Sequence, residues 1–279
     1  MRKVLILGSN GSLGSSLVRY LSNKKFKIFA QSRKKNTKFY CDFKNKKNFN
    51  ALLNQIKPNI VINTISNTNV DLCEKNFKKC FEDNILTSKI ISEACGRHKI
   101  KLIYISSDQV YSGKGPHKET AALPLNNYGL SKLVSENFSL KNNGIVLRVN
   151  FIFRHSRKEN FNDQVLLSRK KNFKLFKNIF FSPLHISTLV EFISKNAFKL
   201  KSGVYNIGSY NKISKSNFIK QLCKLTNLKK KFIITNYSNK FVERPLDMSM
   251  NIAKVNKLCK LKFNINDEIY KLAKEYKND

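Results

Sequence analysis

Lys3-Val4-Leu5-Ile6-Leu7-Gly8-Ser9-Asn10-Gly11-Ser12-Leu13-Gly14 is the stretch that decides the fold. Its first five residues are a short, mostly apolar run, the mark of a strand buried on both faces. Gly8, Gly11 and Gly14 then form GxxGxxG, and Leu17, Val18 and Leu21 follow at helical spacing. The turn needs a residue without a Cβ, the backbone must come close to a pyrophosphate, and the helix N-terminus offers free N–H groups to anionic oxygens. A glycine trio alone is a weak signal. At the first strand–helix junction of an alternating chain it reads as dinucleotide binding, with Gly8, Asn10, Gly11, Ser12, Leu13 and Gly14 around the phosphates.

Outward from that junction, strands are expected at 26–30, 39–42, 60–63, 102–106 and 145–149. Helices are expected between them at 46–57, 76–99 and 128–140. Such alternation predicts the α/β class: a doubly wound parallel sheet covered on both faces, the Rossmann architecture. After Asn150 the pattern loosens. Residues 151–182 read as irregular and basic, 187–199 as a helix, 204–207 as a strand, and 214–226 and 265–276 as helices. The domains expected are 1–150, binding NAD(P), and 151–279, mainly substrate-binding, with about 183–207 returning to the first. The second part is expected to close a cleft at the carboxyl ends of the strands.

A chain of 279 residues with 41% hydrophobic content and 21 Phe is neither disordered nor fibrous. No uncharged apolar run approaches the ~18 residues of a membrane span, and the run after Met1-Arg2-Lys3 is too short for a signal-peptide core. A cytoplasmic protein is expected. Six scattered cysteines without a CxxC pair read as reduced thiols, and no metal site is expected. The formal charge of +35 is spread through nearly every segment, and 229–231 lacks interleaved aromatics. It therefore reads as a compositional bias toward Lys and Asn, and no nucleic-acid partner is expected. The field still favours an anionic small molecule.

The end of the second strand selects the dinucleotide. An NAD site places Asp or Glu there for the ribose 2′-OH. Here the residues are Gln31-Ser32-Arg33-Lys34. With no carboxylate and an Arg at hand, a 2′-phosphate is the better guest, so NADPH is expected ahead of NADH, held by Ser32, Arg33 and Lys34. Asp42, with Phe43 beside it, is placed at the adenine edge.

Tyr128 and Lys132 make a YxxxK, and positions i and i+4 share a helical face. An ammonium there stabilises a phenolate and brings a Tyr pKa down toward working pH. The motif alone says little: among 10 Tyr the chain holds four such pairs, the others being Tyr20/Lys24, Tyr40/Lys44 and Tyr270/Lys274. Context selects Tyr128, which opens the helix after the fifth strand and follows Ser107 at that strand's end.

Gly8/Gly11/Gly14, Ser106-Ser107-Asp108-Gln109-Val110-Tyr111 and Tyr128-Gly129-Leu130-Ser131-Lys132 together resemble the extended short-chain dehydrogenase/reductases. The likeness is greatest to the dTDP-4-dehydrorhamnose reductase branch, which reduces nucleotide-linked 4-keto sugars. It extends through 57–63, 70–74, Asn84 and 124–129, and on to Ser182-Pro183 and Arg244-Pro245. The resemblance implies an NADPH-dependent oxidoreductase of polysaccharide biosynthesis. Tyr128 would protonate the developing alkoxide, Lys132 would hold the nicotinamide ribose, and Ser107 would hydrogen-bond the carbonyl oxygen. Asn63 and Thr64 would border the cofactor. Ser106 and Asp108 would line the sugar pocket, Phe151 would lie near the sugar, and Arg244 would meet the nucleotide phosphates.

Related dehydratases carry an Asp-Glu pair where this chain has Asp108-Gln109. An amide cannot take a proton, so elimination loses its base and plain reduction is favoured. Epimerases of the superfamily tend to be longer. The alternatives kept are an epimerase and a non-catalytic NADP-binding regulatory subunit. The intact Ser107/Tyr128/Lys132 set favours the enzyme. His98, His117, His155 and His185 show no triad pattern. The basic segment 154–160 reads as a site for a diphosphate head group or as a solvated loop. Helix 76–99 is the candidate face for a homodimer.

Overall fold

The computed structural model describes residues 1–22, 26–33, 38–43, 46–154, 161–167, 172–238, 241–259 and 263–277. Lys34 and most of the basic segment 154–160 lie outside them. The chain begins β1 (Arg2–Leu7), α1 (Ser12–Ser22), β2 (Phe26–Ser32), β3 (Phe39–Tyr40), α2 (Lys46–Ile56) and β4 (Ile60–Asn63). It continues with α3 (Val70–Lys75), α4 (Phe77–Cys80), a π-helical segment (Phe81–Leu86), α5 (Thr87–Arg97), β5 (Lys101–Ile105), α6 (Asn127–Lys141) and β6 (Ile145–Val149). Next come β7 (Phe151–Ile152), α7 (Phe161–Leu167), β8 (Phe173–Phe176), β9 (Phe180–Phe181), β10 (Leu184–His185), α8 (Ile186–Asn196) and β11 (Gly203–Ile207). β12 (Ile213–Ser214), α9 (Lys215–Leu225), β13 (Phe232–Thr235), α10 (Ala253–Cys259) and α11 (Ile265–Lys277) complete it.

Seven strands form one sheet in the order β11-β6-β5-β4-β1-β2-β3. The β1–β2, β2–β3, β1–β4, β4–β5 and β5–β6 pairs are all parallel. Chain direction reverses laterally at β1, which leaves the loop after β1 beside the loop after β4, the place where such sheets take ligands. This is the Rossmann-like α/β fold expected from the alternation. The central strands are apolar because both faces are covered: Leu5, Ile6, Leu7, Ile60, Val61 and Ile103 are all buried.

The chain divides into two compact units. One comprises Met1–Val110, Pro124–Arg148 and Val190–Tyr205, and the other Tyr111–Leu123, Val149–Leu189 and Asn206–Asp279. In the first, Leu5, Leu7, Val61 and Leu102 pack with Phe49, Leu52 and Leu53 of α2 and Ile91 and Cys95 of α5. The second has its own core, in which Phe181, Phe218, Leu222, Ile269 and Leu272 meet. It carries three two-stranded pairs, β7–β10 and β8–β13 parallel and β9–β12 antiparallel. Residues 151–182, expected to be irregular, hold β7, α7, β8 and β9. Their strands are two to four residues long, too short for a period-2 pattern to register.

The single helix expected at 76–99 is broken. α4 runs into the π-helical segment Phe81–Leu86 before α5 begins. The extra residue per turn lies around Asn84, whose buried side chain is fully engaged. Its Nδ2 donates to Asn67 O at 3.1 Å and Ser131 Oγ at 3.0 Å, and its Oδ1 accepts from Asn67 N at 2.7 Å. Among the described residues no helix is long and apolar enough to cross a membrane.

Candidate active site

The glycine loop is shaped by close backbone approach. Gly8 has φ +77°, a left-handed conformation that L side chains resist, and Gly11 N donates to Gly8 O at 2.9 Å. A Cβ on Gly14 would stand 2.3 Å from Gly8 O, so only glycine lets α1 start this close to β1. Ser9 N donates to Gln31 O at 2.9 Å and Asn10 Nδ2 to Ser32 Oγ at 2.6 Å, tying the loop to the end of β2. Ser12 opens α1, while the Leu13 side chain is buried in the core.

At the end of β2, Ser32 is buried and Arg33 is exposed. Asp42 is half-buried, whereas the Phe43 ring packs into the core 5.2 Å from Phe49. The Phe43 ring thus serves the interior, while Asp42 beside it is half-buried. After β4, Thr64 Oγ1 donates to Leu7 O at 2.7 Å and braces the strand end that carries Gly8. Asn63 is buried, its Oδ1 accepts from Ile65 N at 3.0 Å, and its Nδ2 has no partner among the described residues. A buried amide donor without a partner is costly, and here it sits at the strand end next to Thr64.

The second group of residues is carried by β5 and α6. Asn126 caps α6, its Oδ1 accepting from Gly129 N at 2.9 Å, and Asn127 N donates to Glu74 Oε2 at 3.0 Å. A Cβ on Gly129 would lie 2.3 Å from Gln109 O, so the first turn of α6 presses directly on the segment that follows β5. That contact brings Tyr128 to Ser107. The Ser107 and Ser66 hydroxyls lie close enough to the Tyr128 phenol to lower its pKa. Ser107 Oγ also reaches Asp108 Oδ1 at 3.2 Å and accepts from Gln109 N at 3.2 Å. Burial pushes the Tyr128 phenol well above its ordinary value, with Asp108 adding to the rise; the two serines pull it back.

Lys132 is almost fully buried. Its Nζ donates to Ile105 O at 2.7 Å and lies 4.4 Å from the centre of the Tyr104 ring. Burial brings its pKa down to about 7, against the opposing pull of Glu136 and Cys80. The sequence predicts that Lys132 lowers the Tyr128 pKa. In the structure the hydroxyls of Ser107 and Ser66 do that, and the ammonium is directed at a backbone carbonyl.

Ser106 is corrected too. Alternation along β5 turns it to the face that carries Tyr104, toward α6, where its hydroxyl donates to Glu136. It serves a buried ion pair in place of the sugar-facing role expected of it. Arg148 of β6 completes that pair, with Nη2 at 2.6 Å and Nε at 3.0 and 3.2 Å from the Glu136 carboxylate. Sequence reasoning missed Glu136, Arg148 and Ser66. Glu136 stands four residues past Lys132, the same spacing as the YxxxK itself, which is the signal that was available. Phe151 and Arg244 belong to the second unit: both are half-buried, and the Phe151 ring is 5.6 Å from Phe153.

The RmlD substrate binding domain family matches residues 1–277. This chain belongs to that family. Among curated relatives, this RmlD-family chain is similar to a dTDP-4-dehydrorhamnose reductase of Aggregatibacter actinomycetemcomitans, 31% identical over 55% of this chain and 52% of that one. It is 26% identical to the spore coat polysaccharide biosynthesis protein SpsK of Bacillus subtilis, over 75% of this chain and 74% of that one. Methionine adenosyltransferase 2 subunit beta of Xenopus tropicalis is 27% identical over 54% of this chain and 47% of its own. The match thus spans about half the length of the first and third of these relatives. Among solved structures, dTDP-4-dehydrorhamnose reductase from Bacillus anthracis in complex with NADP superposes with a TM-score of 0.90 at 22% identity, covering 99% of this chain and 100% of that one. At that identity the likeness is one of fold.

Proposed function

We propose that this chain is an NADPH-dependent reductase of a nucleotide-linked 4-keto-6-deoxy sugar, with Tyr128 as the general acid. The observation that carries the reading is the convergence of Tyr128 with the Ser107 hydroxyl on an α6 held against the end of β5. Family membership and the reductase relative support the chemistry.

The dinucleotide passes a test of fit on this chain's own residues. A Cβ at Gly14 would collide with the loop backbone, and the buried Asn63 Nδ2 lacks a partner among the described residues. The residues that would hold NADPH are Gly8, Asn10, Gly11, Ser12, Leu13 and Gly14 around the phosphates, Ser32 and Arg33 at the 2′-phosphate, and Asp42, Asn63, Thr64, Tyr128 and Lys132. When bound, NADPH supplies the hydride for the keto carbon.

The chain's side chains manage the oxygen. Ser107 Oγ–H turns from Asp108 to the substrate carbonyl and polarises it. Tyr128 gives its phenolic proton to the oxygen as negative charge develops there. A phenol whose pKa burial has raised stays protonated at neutral pH, as a proton donor must. The Ser107 and Ser66 hydroxyls ease the charge on the phenolate left behind, while Lys132 is held on Ile105 O. Asp108, buried beside Ser107, is proposed to meet the nucleotide sugar; within the second unit, Phe151 and Arg244 are proposed as nucleotide-sugar contacts. The expected setting is cytoplasmic polysaccharide biosynthesis.

A specific observation keeps a second reading in view. The methionine adenosyltransferase relative is named a subunit, which fits a dinucleotide-binding protein acting through a partner. Titrating NADPH and NADH by fluorescence, then adding nucleotide 4-keto sugars, separates the two. Substrate-dependent NADPH oxidation supports the reductase. Tight binding without turnover on any such sugar overturns it in favour of the subunit reading.

A further inference from the structure

The buried face of α6 is polar along its whole length: Tyr128, Ser131, Lys132, Ser135, Glu136 and Ser139 all point inward. Ser131 and Asn84 bond one another, Ser135 Oγ donates to Ser131 O at 2.8 Å, and Ser92 and Ser139 share a hydrogen bond at 3.2 Å. That satisfies the serines within the helix packing. Glu136 and Lys132 remain as the two charged groups of this face, one helical turn apart.

Glu136 is unusually constrained for a carboxylate. Both its oxygens bond the Arg148 guanidinium, and Ser106 donates to Oε1. Glu136 and Arg148 side chains are exposed by only 1% and 3%, so neither has water to fall back on. Such a pair adds little net stability over apolar residues of the same volume. Its placement suggests a different service. Lys132 gives its Nζ to Ile105 O and the Tyr104 ring, and needs an anion within the low-dielectric interior to stay protonated.

We propose that Glu136, fixed by Arg148 and Ser106, is a positioning residue that keeps the Lys132 ammonium charged while leaving its protons free for Ile105 O and a ligand. The inference rests on the reductase reading for its catalytic consequence, although the charge state of Lys132 is testable without turnover. The groups facing Lys132 are Glu136 from α6, Tyr104 from β5 and Cys80 from α4. Those facing Glu136 are Arg148 from β6, Ser106 after β5, and Tyr104. Glu136 is the one carboxylate among them. Direct ligation of Lys132 by Glu136 would tie up the ammonium; holding the carboxylate on Arg148 avoids that.

The test is 13C NMR of the full-length chain with lysine labelled at Cε. Lys132 is assigned as the resonance lost in Lys132→Arg. In Glu136→Gln its titration midpoint should fall by about one pH unit or more, the size of effect a nearby opposite charge exerts. Glu136→Gln leaves Arg148 buried without its partner, so Glu136→Gln/Arg148→Met is measured beside it and relieves that charge. The double variant should fold and still show a lowered midpoint. An unchanged midpoint in whichever of the two folds overturns the proposal. If turnover is present, the alkaline limb of kcat/KM for NADPH oxidation should move to lower pH in step with the NMR midpoint. A midpoint that moves in a protein lacking turnover on any 4-keto sugar leaves this inference standing and sinks the reductase reading alone.

Discussion

Gly129 lies so close to Gln109 that a Cβ on the glycine would stand 2.3 Å from the Gln109 carbonyl oxygen. The contact has a direct catalytic reading, because Tyr128 precedes Gly129 and Ser107 precedes Gln109 by two residues. Gly129→Ala must push α6 off the end of β5 and separate the phenol from the serine. Overpacking of this kind costs about 1–3 kcal/mol. The expected outcome is a fall in the urea midpoint by that amount, with kcat reduced about 10²-fold by the misplaced acid. NADPH affinity should change far less, since the glycine loop is on the opposite side of β4.

Tyr128→Phe removes the proton donor while preserving the ring's packing. Turnover should fall by about 10²–10⁴-fold, the usual contribution of a positioned acid, with thermal stability close to that of the wild type. Stopped-flow monitoring of NADPH absorbance checks it. An unchanged rate would mean another group protonates the product.

Gly14→Ala places a methyl group against Gly8 O at 2.3 Å. The loop must open, and with it the backbone positions that would meet the pyrophosphate. NADPH and NADH affinity should both drop, by about tenfold or more, in a fluorescence titration. Arg33→Ala is the contrasting change: it removes an exposed cation beside Ser32, so NADPH should weaken by about tenfold and NADH hardly at all.

The Lys132 pKa of about 7 predicts how stability follows pH. An unfolded lysine titrates near 10.4. Between those two values the unfolded chain holds a proton that the folded chain has released, so stability rises with pH across that window. It is lost again as pH falls toward 7. Urea midpoints measured from pH 7 to pH 10 should rise more steeply for the wild type than for Lys132→Met. Equal slopes would show that Lys132 keeps an ordinary pKa when folded.

Much of this molecule was legible in residue order. The apolar run from Val4 to Leu7, the glycine spacing after it and the alternation through Val149 all express local rules: a strand buried on both faces must be apolar, and a turn against phosphate needs room for backbone. Tyr128 and Lys132 were selected by where they fell in that alternation, not by the motif itself. The same local logic failed at Ser106. Its neighbour Ser107 carries the same side chain, and only the pleat of β5 decides which hydroxyl meets Glu136. It also failed over 76–99, where the partners of Asn84 at positions 67 and 131 accompany a π-helical turn.

What the sequence determined by itself, then, is everything that follows from short-range periodicity and backbone geometry: the parallel α/β sheet, the glycine loop and the helix that opens with Tyr128. Packing in three dimensions sets which groups share the interior with Lys132. Glu136 comes from its own helix, Arg148 from the strand after it, and Tyr104 and Ile105 from the strand before it. The charge on a buried lysine depends on distance and dielectric in three dimensions, and residue order encodes neither until the chain has packed.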